Sequence, residues 1–300
     1  MLEPGAAGAM QACTEGRHEL GECLLWCERS SRLLWTDIPA ATLWSYQPNS
    51  GRTRSWPMPE RLGSFALTGS DDRLLLGLAS GLALFHLPTG KLTRICDVEP
   101  GLNTRINDGR CDRQGRFVFG MLNESDDPQA PNGGFYRLHL DLTLERLPLP
   151  PARIANSLCF SPNGRRMYFA DSDEGAIRYC DYNPCSAEVG QVHTLVAAGA
   201  APGAPDGATV DAEGCLWSAR WGAGQVLRFA ADGRLLQTIE TAAPQPTCPS
   251  FGGPDLSTLY VSTAHAGMSG AARVAAPHAG AVLGQRLAVR GLPEARFLHA

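Results

Sequence analysis

NSLCFSPNGRRMYFAD, residues 156–171, reads as an apolar strand, a polar turn closing on Asn-Gly, and a second apolar strand. The same arrangement stands before it in LLWCERSSRLLWTD at 24–37, FALTGSDDRLLLG at 65–77 and GRCDRQGRFVFG at 109–120. It returns after it in ATVDAEGCLWSAR at 208–220 and PSFGGPDLSTLYVS at 249–262. The residues just before the second strand are Arg32, Arg73, Gly115, Gly164, Gly214 and Ser257, so successive copies are 41, 42, 49, 50 and 43 residues apart. That spacing is the length of a four-stranded propeller blade. Between the copies lie further strand candidates with their own turns: ATLWSYQPNSGR, GLALFHLPTGK, GFYRLHLDLT, AIRYCDYNP and QVLRFAADGR. A β-sandwich rarely repeats its hairpins six times, and a solenoid has a tighter period. The expectation is an all-β chain folded as a six-bladed β-propeller.

The wider composition agrees. The 33 glycines and 22 prolines exceed ordinary usage and suit many short strands joined by tight turns. A hydrophobic share of 44% excludes wholesale disorder. Three hundred residues allow two domains on length alone. The repeat instead predicts one propeller domain over 20–300, behind a flexible lead-in at 1–19. With 26 basic against 30 acidic residues, the chain lacks the basic surface of a nucleic-acid binder. The N-terminus has no basic segment followed by an apolar core, so no secretory signal is read there. The apolar stretch 74–90 is broken by glycines and Pro88, which suits two short strands better than a membrane span. Ten cysteines are scattered through apolar runs without a CxxC, as expected of reduced thiols in a cytoplasmic protein.

No local catalytic motif occurs: no GxSxG, HExxH, Walker loop or GxGxxG. The seven histidines are dispersed without ligand spacing. What stands out is a set of polar residues just before the repeat strands: Glu22, then Arg105, Asn107 and Asp108, then Asn156, then Asp206. In a propeller these are equivalent positions of four blades. Two carboxylates and an amide oxygen form a hard donor set suited to Ca²⁺, Mg²⁺ or Mn²⁺. Turn capping by Asn156 and Asp206 is the plainer alternative.

At these residues the chain resembles the SMP-30/gluconolactonase/LRE (regucalcin-like) family. LGECLLW at 20–26 is similar to that family's LGEGPxW, and RINDGRCDRQGRFVFG at 105–120 to RxNDGxxDxxGRxxxG. The segments at 156–182, 205–229 and 247–264 resemble its later motifs in the same order. The resemblance implies a six-bladed propeller with one divalent metal ion, hydrolysing sugar lactones. It implies Glu22, Asn156 and Asp206 as metal ligands, and Arg105, Asn107 and Glu124 as substrate contacts. Ser125 and Asp126 compete with Glu124, because NESDDPQAPNGG departs from the family pattern there. Cys23 and Ser157 stand where the family has glycine, which puts the backbone fit beside two ligands in question.

The chemistry that follows is metal-dependent opening of aldonolactones to aldonic acids in carbohydrate metabolism. The metal would act as Lewis acid, Asp206 as general acid/base and Arg105 as donor to hydroxyls or the oxyanion. No covalent nucleophile is needed. L-Arabinono-1,4-lactone and D-xylono-, D-galactono- and D-gluconolactones are the expected substrates, and the metal is one of Ca, Zn, Mn, Mg or Fe. The alternatives are a non-catalytic calcium- or partner-binding propeller, and a propeller enzyme of other chemistry such as a phosphotriesterase.

Overall fold

The computed structural model describes residues 10–14, 18–125 and 132–299. Among the described residues the sheets are six, each of four strands. In chain order the strands are β1 (Gln11–Ala12), β2 (Gly21–Cys27), β3 (Arg32–Asp37), β4 (Thr42–Gln47), β5 (Arg52–Pro57), β6 (Leu62–Leu67), β7 (Arg73–Leu78), β8 (Gly81–His86) and β9 (Lys91–Asp97). They continue with β10 (Thr104–Cys111), β11 (Phe117–Asn123), β12 (Phe135–Leu138), β13 (Leu144–Arg146), β14 (Ala155–Phe160), β15 (Arg166–Asp171), β16 (Ile177–Tyr182) and β17 (Val189–Val196). The last are β18 (Ala204–Val210), β19 (Leu216–Trp221), β20 (Gln225–Phe229), β21 (Leu235–Glu240), β22 (Pro246–Gly252), β23 (Thr258–Thr263) and β24 (Val282–Arg286). Five sheets take consecutive strands, from β2–β5 to β18–β21, and the sixth runs β22-β23-β24-β1. The fold class is thus the all-β, six-bladed β-propeller expected. Among the described residues one six-residue helix, Gly270–Ala275, interrupts the strands.

The chain divides into two compact units, Met1–Pro59 with Pro202–Pro293, and Glu60–Ala201 with Glu294–Ala300. The first holds the β2–β5, β18–β21 and β22-β23-β24-β1 sheets, with β22 packed against both β2 and β18. The second holds the β6–β9, β10–β13 and β14–β17 sheets, with β10 packed against both β6 and β14.

One departure concerns the N-terminus. Gln11 and Ala12, inside the segment read as a lead-in, pair with Gly284 and Leu283 of β24 and complete the sixth sheet. The apolar stretch after 281 gives that sheet its third strand, and Phe297 bridges to Thr68 in the second unit. A two-residue strand is too short to signal itself by alternation, so only the pairing reveals it.

Burial falls from the first to the fourth strand of each complete sheet. Every residue of β6, β14 and β22 is buried, whereas β5 and β9 are mostly exposed and carry Arg52, Arg54, Lys91 and Arg94. First strands are packed on both faces yet admit polar residues at their bulges, while charged fourth strands discourage edge-to-edge pairing. Trp26 stacks on Tyr260 in the first unit, and Phe135 meets Phe169 edge-on in the second. Such pairs add about 0.5–1.5 kcal/mol each beyond area burial.

Two of the repeated turns share one physical design. In CDRQGR, Asp112 Oδ1 accepts from the Gln114 and Arg116 amides at 2.9 Å, and in VDAEGC Asp211 Oδ1 accepts from Glu213 and Cys215 at 2.9 Å. Gly115, Gly164 and Gly214 lie at φ +88°, +67° and +83°, the left-handed conformation that lets a short hairpin close. This explains why these three copies are visible as Asp or Asn followed by Gly.

All ten cysteines are free thiols, mostly buried, as their apolar contexts suggested. Residues 74–90 form parts of β7 and β8, and among the described residues no helix is long and apolar enough to cross a membrane.

Candidate functional site

The polar residues singled out all lie at one feature. The first strand of every sheet carries a register shift against its second strand: after Glu22 in β2, after Leu62 in β6, after Ile106 in β10, after Asn156 in β14, after Pro205 in β18 and after Pro246 in β22. Such bulges bend a strand and re-aim its side chains, which is why they recur beside active sites.

In the second unit the bulges of β10 and β14 join. Arg105, buried at 6% exposure, donates Nη1–H to Asn107 Oδ1 at 2.7 Å and to the Ile106 carbonyl at 3.1 Å. Asn107 Nδ2 donates to the Ala155 carbonyl at 3.0 Å and to Asn156 Oδ1 at 3.3 Å. Asn156 Nδ2 in turn donates to Ser172 Oγ at 2.8 Å. This chain orients both amides: with its nitrogen committed to Ser172, Asn156 turns its oxygen toward Asn107. Asp108 has a different task from its neighbours. Its Oδ1 accepts from the Gly109 amide and its Oδ2 from the Leu158 amide, both at 2.8 Å, so it fastens β10 to β14. Burial pushes its carboxyl up, against the pull of Arg110 and of these two amides.

Glu124 joins the same cluster. Arg61, just ahead of β6, grips it with Nη1 to Oε1 at 2.6 Å and Nη2 to Oε2 at 2.7 Å, and Arg105 Nε lies 3.5 Å from Oε1. The Arg61 hydrogen bonds hold the Glu124 carboxyl below its ordinary range, with Arg105 adding to the effect. Ser125 donates its amide to Asn123 Oδ1 at 2.9 Å, and Asp126 lies outside the described residues.

Glu22 and Asp206 belong to the first unit. Glu22 Oε2 accepts from the Cys23 amide at 3.3 Å. Asp206 is buried at 6% exposure in the bulge of β18, followed by Gly207. A Cβ at Gly207 would lie 2.8 Å from the Thr247 carbonyl oxygen, so close approach of β22 requires glycine there.

The three positions expected to bind metal share a supporting device. Asp37 is paired with Gly21, Asp171 with Ala155 and Arg220 with Pro205, in each case opposite the residue immediately before the expected ligand. Asp37 accepts the Glu19 and Leu20 amides at 3.2 Å, and Asp171 accepts those of Arg153 and Ile154 at 2.8 and 3.1 Å. Arg220 does the converse, donating to the Pro202 and Gly203 carbonyls at 2.8 and 2.7 Å. Each latch fixes the backbone entering the bulge. Among the described residues no group of three or more His, Cys, Asp or Glu is set to hold a metal, and the expected set of two carboxylates and one amide is of another kind.

The departures at Cys23 and Ser157 are also explained in backbone terms. Both lie in the left-handed region, at φ +48° and +59°, where glycine is at ease and an L-residue stores about 1–2 kcal/mol. We predict that Ser157→Gly leaves the melting temperature within about 2 °C of wild type. Ser157→Val should lower it by about 6 °C or more, because a β-branched residue there adds strain worth roughly 2 kcal/mol or more. A thermal melt of both variants decides this, and equal melting temperatures would refute the strain argument.

Sequence reasoning missed Arg61, Ser172 and Arg220. Arg61 had a signal: it precedes the first strand of the second repeat, the place from which polar residues were collected elsewhere. Ser172 and Arg220 had none, since they serve neighbouring groups through contacts that only pairing reveals.

Residues 20–265 match the family described as SMP-30/gluconolactonase/LRE-like region. The chain is 46% identical over 291 residues to an L-arabinolactonase of Azospirillum brasilense, covering 97% of this chain and 96% of that one. It is 33% identical over 281 residues to a 6-deoxy-6-sulfogluconolactonase of Pseudomonas putida, covering 93% and 94%. The crystal structure of a calcium-binding protein, regucalcin, from Agrobacterium tumefaciens matches with a TM-score of 0.91 at 29% identity, over 96% of this chain and 97% of that one. The chain belongs to the SMP-30/gluconolactonase/LRE-like family.

Proposed function

We propose that this protein is a cytoplasmic sugar lactonase that opens aldonolactones to aldonic acids, with L-arabinono-1,4-lactone as its preferred substrate. The observation that carries the reading is the 46% identity to an L-arabinolactonase across nearly the whole of both chains. In this reading Glu22, Asn156 and Asp206 hold one divalent cation. The chemistry of the donor set fits: two carboxylate oxygens neutralise the charge, and Asn156 has its nitrogen tied to Ser172, so the amide offers oxygen. When bound, the cation supplies Lewis acidity toward the lactone carbonyl.

The chain's own residues supply the rest. Arg105 and Asn107 bind ring and chain hydroxyls, oriented by their mutual 2.7 Å hydrogen bond, with Glu124 as acceptor beside them. Asp206 takes a proton from the attacking water as its oxygen adds to the carbonyl carbon. Collapse of the tetrahedral intermediate breaks the bond from that carbon to the ring oxygen, which receives the proton from Asp206 and leaves as the hydroxyl of the open aldonic acid, whose carboxyl then ionises to solvent.

The test is a rate assay on L-arabinono-, D-xylono-, D-galactono- and D-gluconolactone. Turnover is expected to be highest with the first. Chelation with EDTA should reduce it to the buffer rate, and add-back of Ca²⁺, Mg²⁺, Mn²⁺, Zn²⁺ or Fe²⁺ should restore it with at least one ion. Calcium binding without turnover of any lactone would favour a calcium-binding protein instead, and full activity after chelation would remove the cation from the reading.

A further inference from the structure

Thr247 holds in β22 the place that Asp206 holds in β18. Each is the first residue past a register-matched proline, Pro246 opposite Thr263 and Pro205 opposite Arg220, where the bulge begins. Thr247 is fully buried, and its hydroxyl donates to the Gly21 carbonyl at 2.5 Å. The Ser262 hydroxyl, also fully buried, lies 2.8 Å from that of Thr247 and 3.3 Å from the Cys248 carbonyl. A hydroxyl has one hydrogen to give, so with that of Thr247 committed to Gly21 it is Ser262 that donates to Thr247. Two hydroxyls in series strengthen one another where water is excluded. The Gly21 carbonyl shares one rigid peptide plane with the Glu22 amide. Fixing that oxygen therefore fixes the plane from which Glu22 departs, one residue ahead of Cys23 at φ +48°. The backbone of Thr247 meets the bulge of the other carboxylate. A Cβ at Gly207, the residue after Asp206, would lie 2.8 Å from the Thr247 carbonyl oxygen and 3.0 Å from Cys248 Cα. Thr247 thus faces the residue before Glu22 with its side chain and the residue after Asp206 with its carbonyl.

We propose that Thr247 is a positioning residue for divalent-cation binding: it ties the bulge of β2 to that of β18 through β22, so that Glu22 and Asp206 are presented at a fixed separation. The proposal rests on the reading of these two carboxylates as ligands of one cation. Oxygen ligands must sit within a few tenths of an ångström of their bonding distance, and ligands that have to be gathered first bind more weakly. Groups that orient ligands without touching the ion are typically worth about 10–100-fold in metal affinity. Thr247 acts on the ligand's backbone and not on its carboxylate, which puts its effect at the lower end of that range. A plain core hydroxyl would, by contrast, contribute to stability alone.

The experiment is calorimetric titration of Ca²⁺, Mg²⁺, Mn²⁺, Zn²⁺ and Fe²⁺, each in turn, into the metal-stripped full chain. Wild type is compared with Thr247→Val, Thr247→Ala and Thr247→Ser, and circular dichroism at the titration temperature establishes that each is folded. For the ion that wild type binds most tightly, Thr247→Val and Thr247→Ala are expected to weaken affinity about tenfold, which is about 1.4 kcal/mol. Thr247→Ser keeps the hydroxyl and should stay within threefold of wild type. A purely structural role would not produce this split, because a folded chain with undisturbed ligands keeps its affinity however far its melting temperature has dropped. Affinity within twofold of wild type in a folded variant without the hydroxyl, or an equal loss in Thr247→Ser, overturns the proposal while the cation reading stands. A wild-type protein that binds none of the five ions overturns that reading, and the proposal with it.

Discussion

Asp206→Ala is expected to lower lactone turnover at least about a thousandfold while the protein stays folded. Two losses combine in this variant. General acid–base catalysis by a positioned carboxylate is worth about 10²–10⁴ in rate. The same carboxylate is one of the three oxygens proposed to hold the cation, so its removal also weakens that site. The fold should tolerate the change, because Asp206 lies in the bulge of β18 between register-matched pairs on either side. Its backbone path is held by the Arg220 latch and by the contact of Gly207 with β22, neither of which uses the Asp206 side chain. Initial rates on L-arabinono-1,4-lactone, with saturating divalent ion, should be compared with melting temperatures. Activity within tenfold of wild type would falsify the role of Asp206, and a collapse in melting temperature would show that the loss is one of folding.

Asp211→Ala should instead cost stability, by about 3–5 kcal/mol, the usual penalty for stripping a buried ion pair of one partner. Asp211 is fully buried and accepts from the amides of Glu213 and Cys215, the indole of Trp217 at 2.9 Å and Arg228 Nε at 2.8 Å. Alanine would leave these donors and a mostly buried arginine without their common acceptor. At about 2–4 °C per kcal/mol for a large domain, the melting temperature should fall by roughly 10 °C. Asp211→Asn, which retains one carbonyl oxygen but no charge, should lie between. A melt of Asp211→Ala within 3 °C of wild type would show that the turn carries no such load.

How much could be read in advance depended on whether the deciding interaction is local. The hairpin turns are local: Asp112 caps amides two and four residues onward, and Gly115 adopts its left-handed φ beside it. The turns at Asp112 and Asp211 therefore leave Asp and Gly in the sequence at a fixed offset. The first strands are legible in part for a related reason, since burial on both faces favours short apolar runs such as CLLW in β2 and LCF in β14. The expectation of glycine at Cys23 and Ser157 pointed to real backbone geometry, although these residues meet it with strain.

The candidate site was legible only as a roster. Arg105, Asn107 and Asn156 stood out as polar residues at strand starts, but their hydrogen-bonded chain spans 49 residues between Asn107 and Asn156. Glu124 was the weakest of the expected contacts, and its partner Arg61 lies 63 residues away.

By itself the sequence determined the blade, its repetition and the places where polar groups enter the strands. These follow from periodicity and turn chemistry acting over a few residues. Only the tertiary structure decided what those groups do to one another: that Asp108 fastens strands, that Asn156 is turned by Ser172, and that Glu124 is gripped by Arg61 beside Arg105. Hydrogen bonds and ion pairs act over about 3 Å of space whatever the distance along the chain, so their choice of partner exists only once the strands are paired.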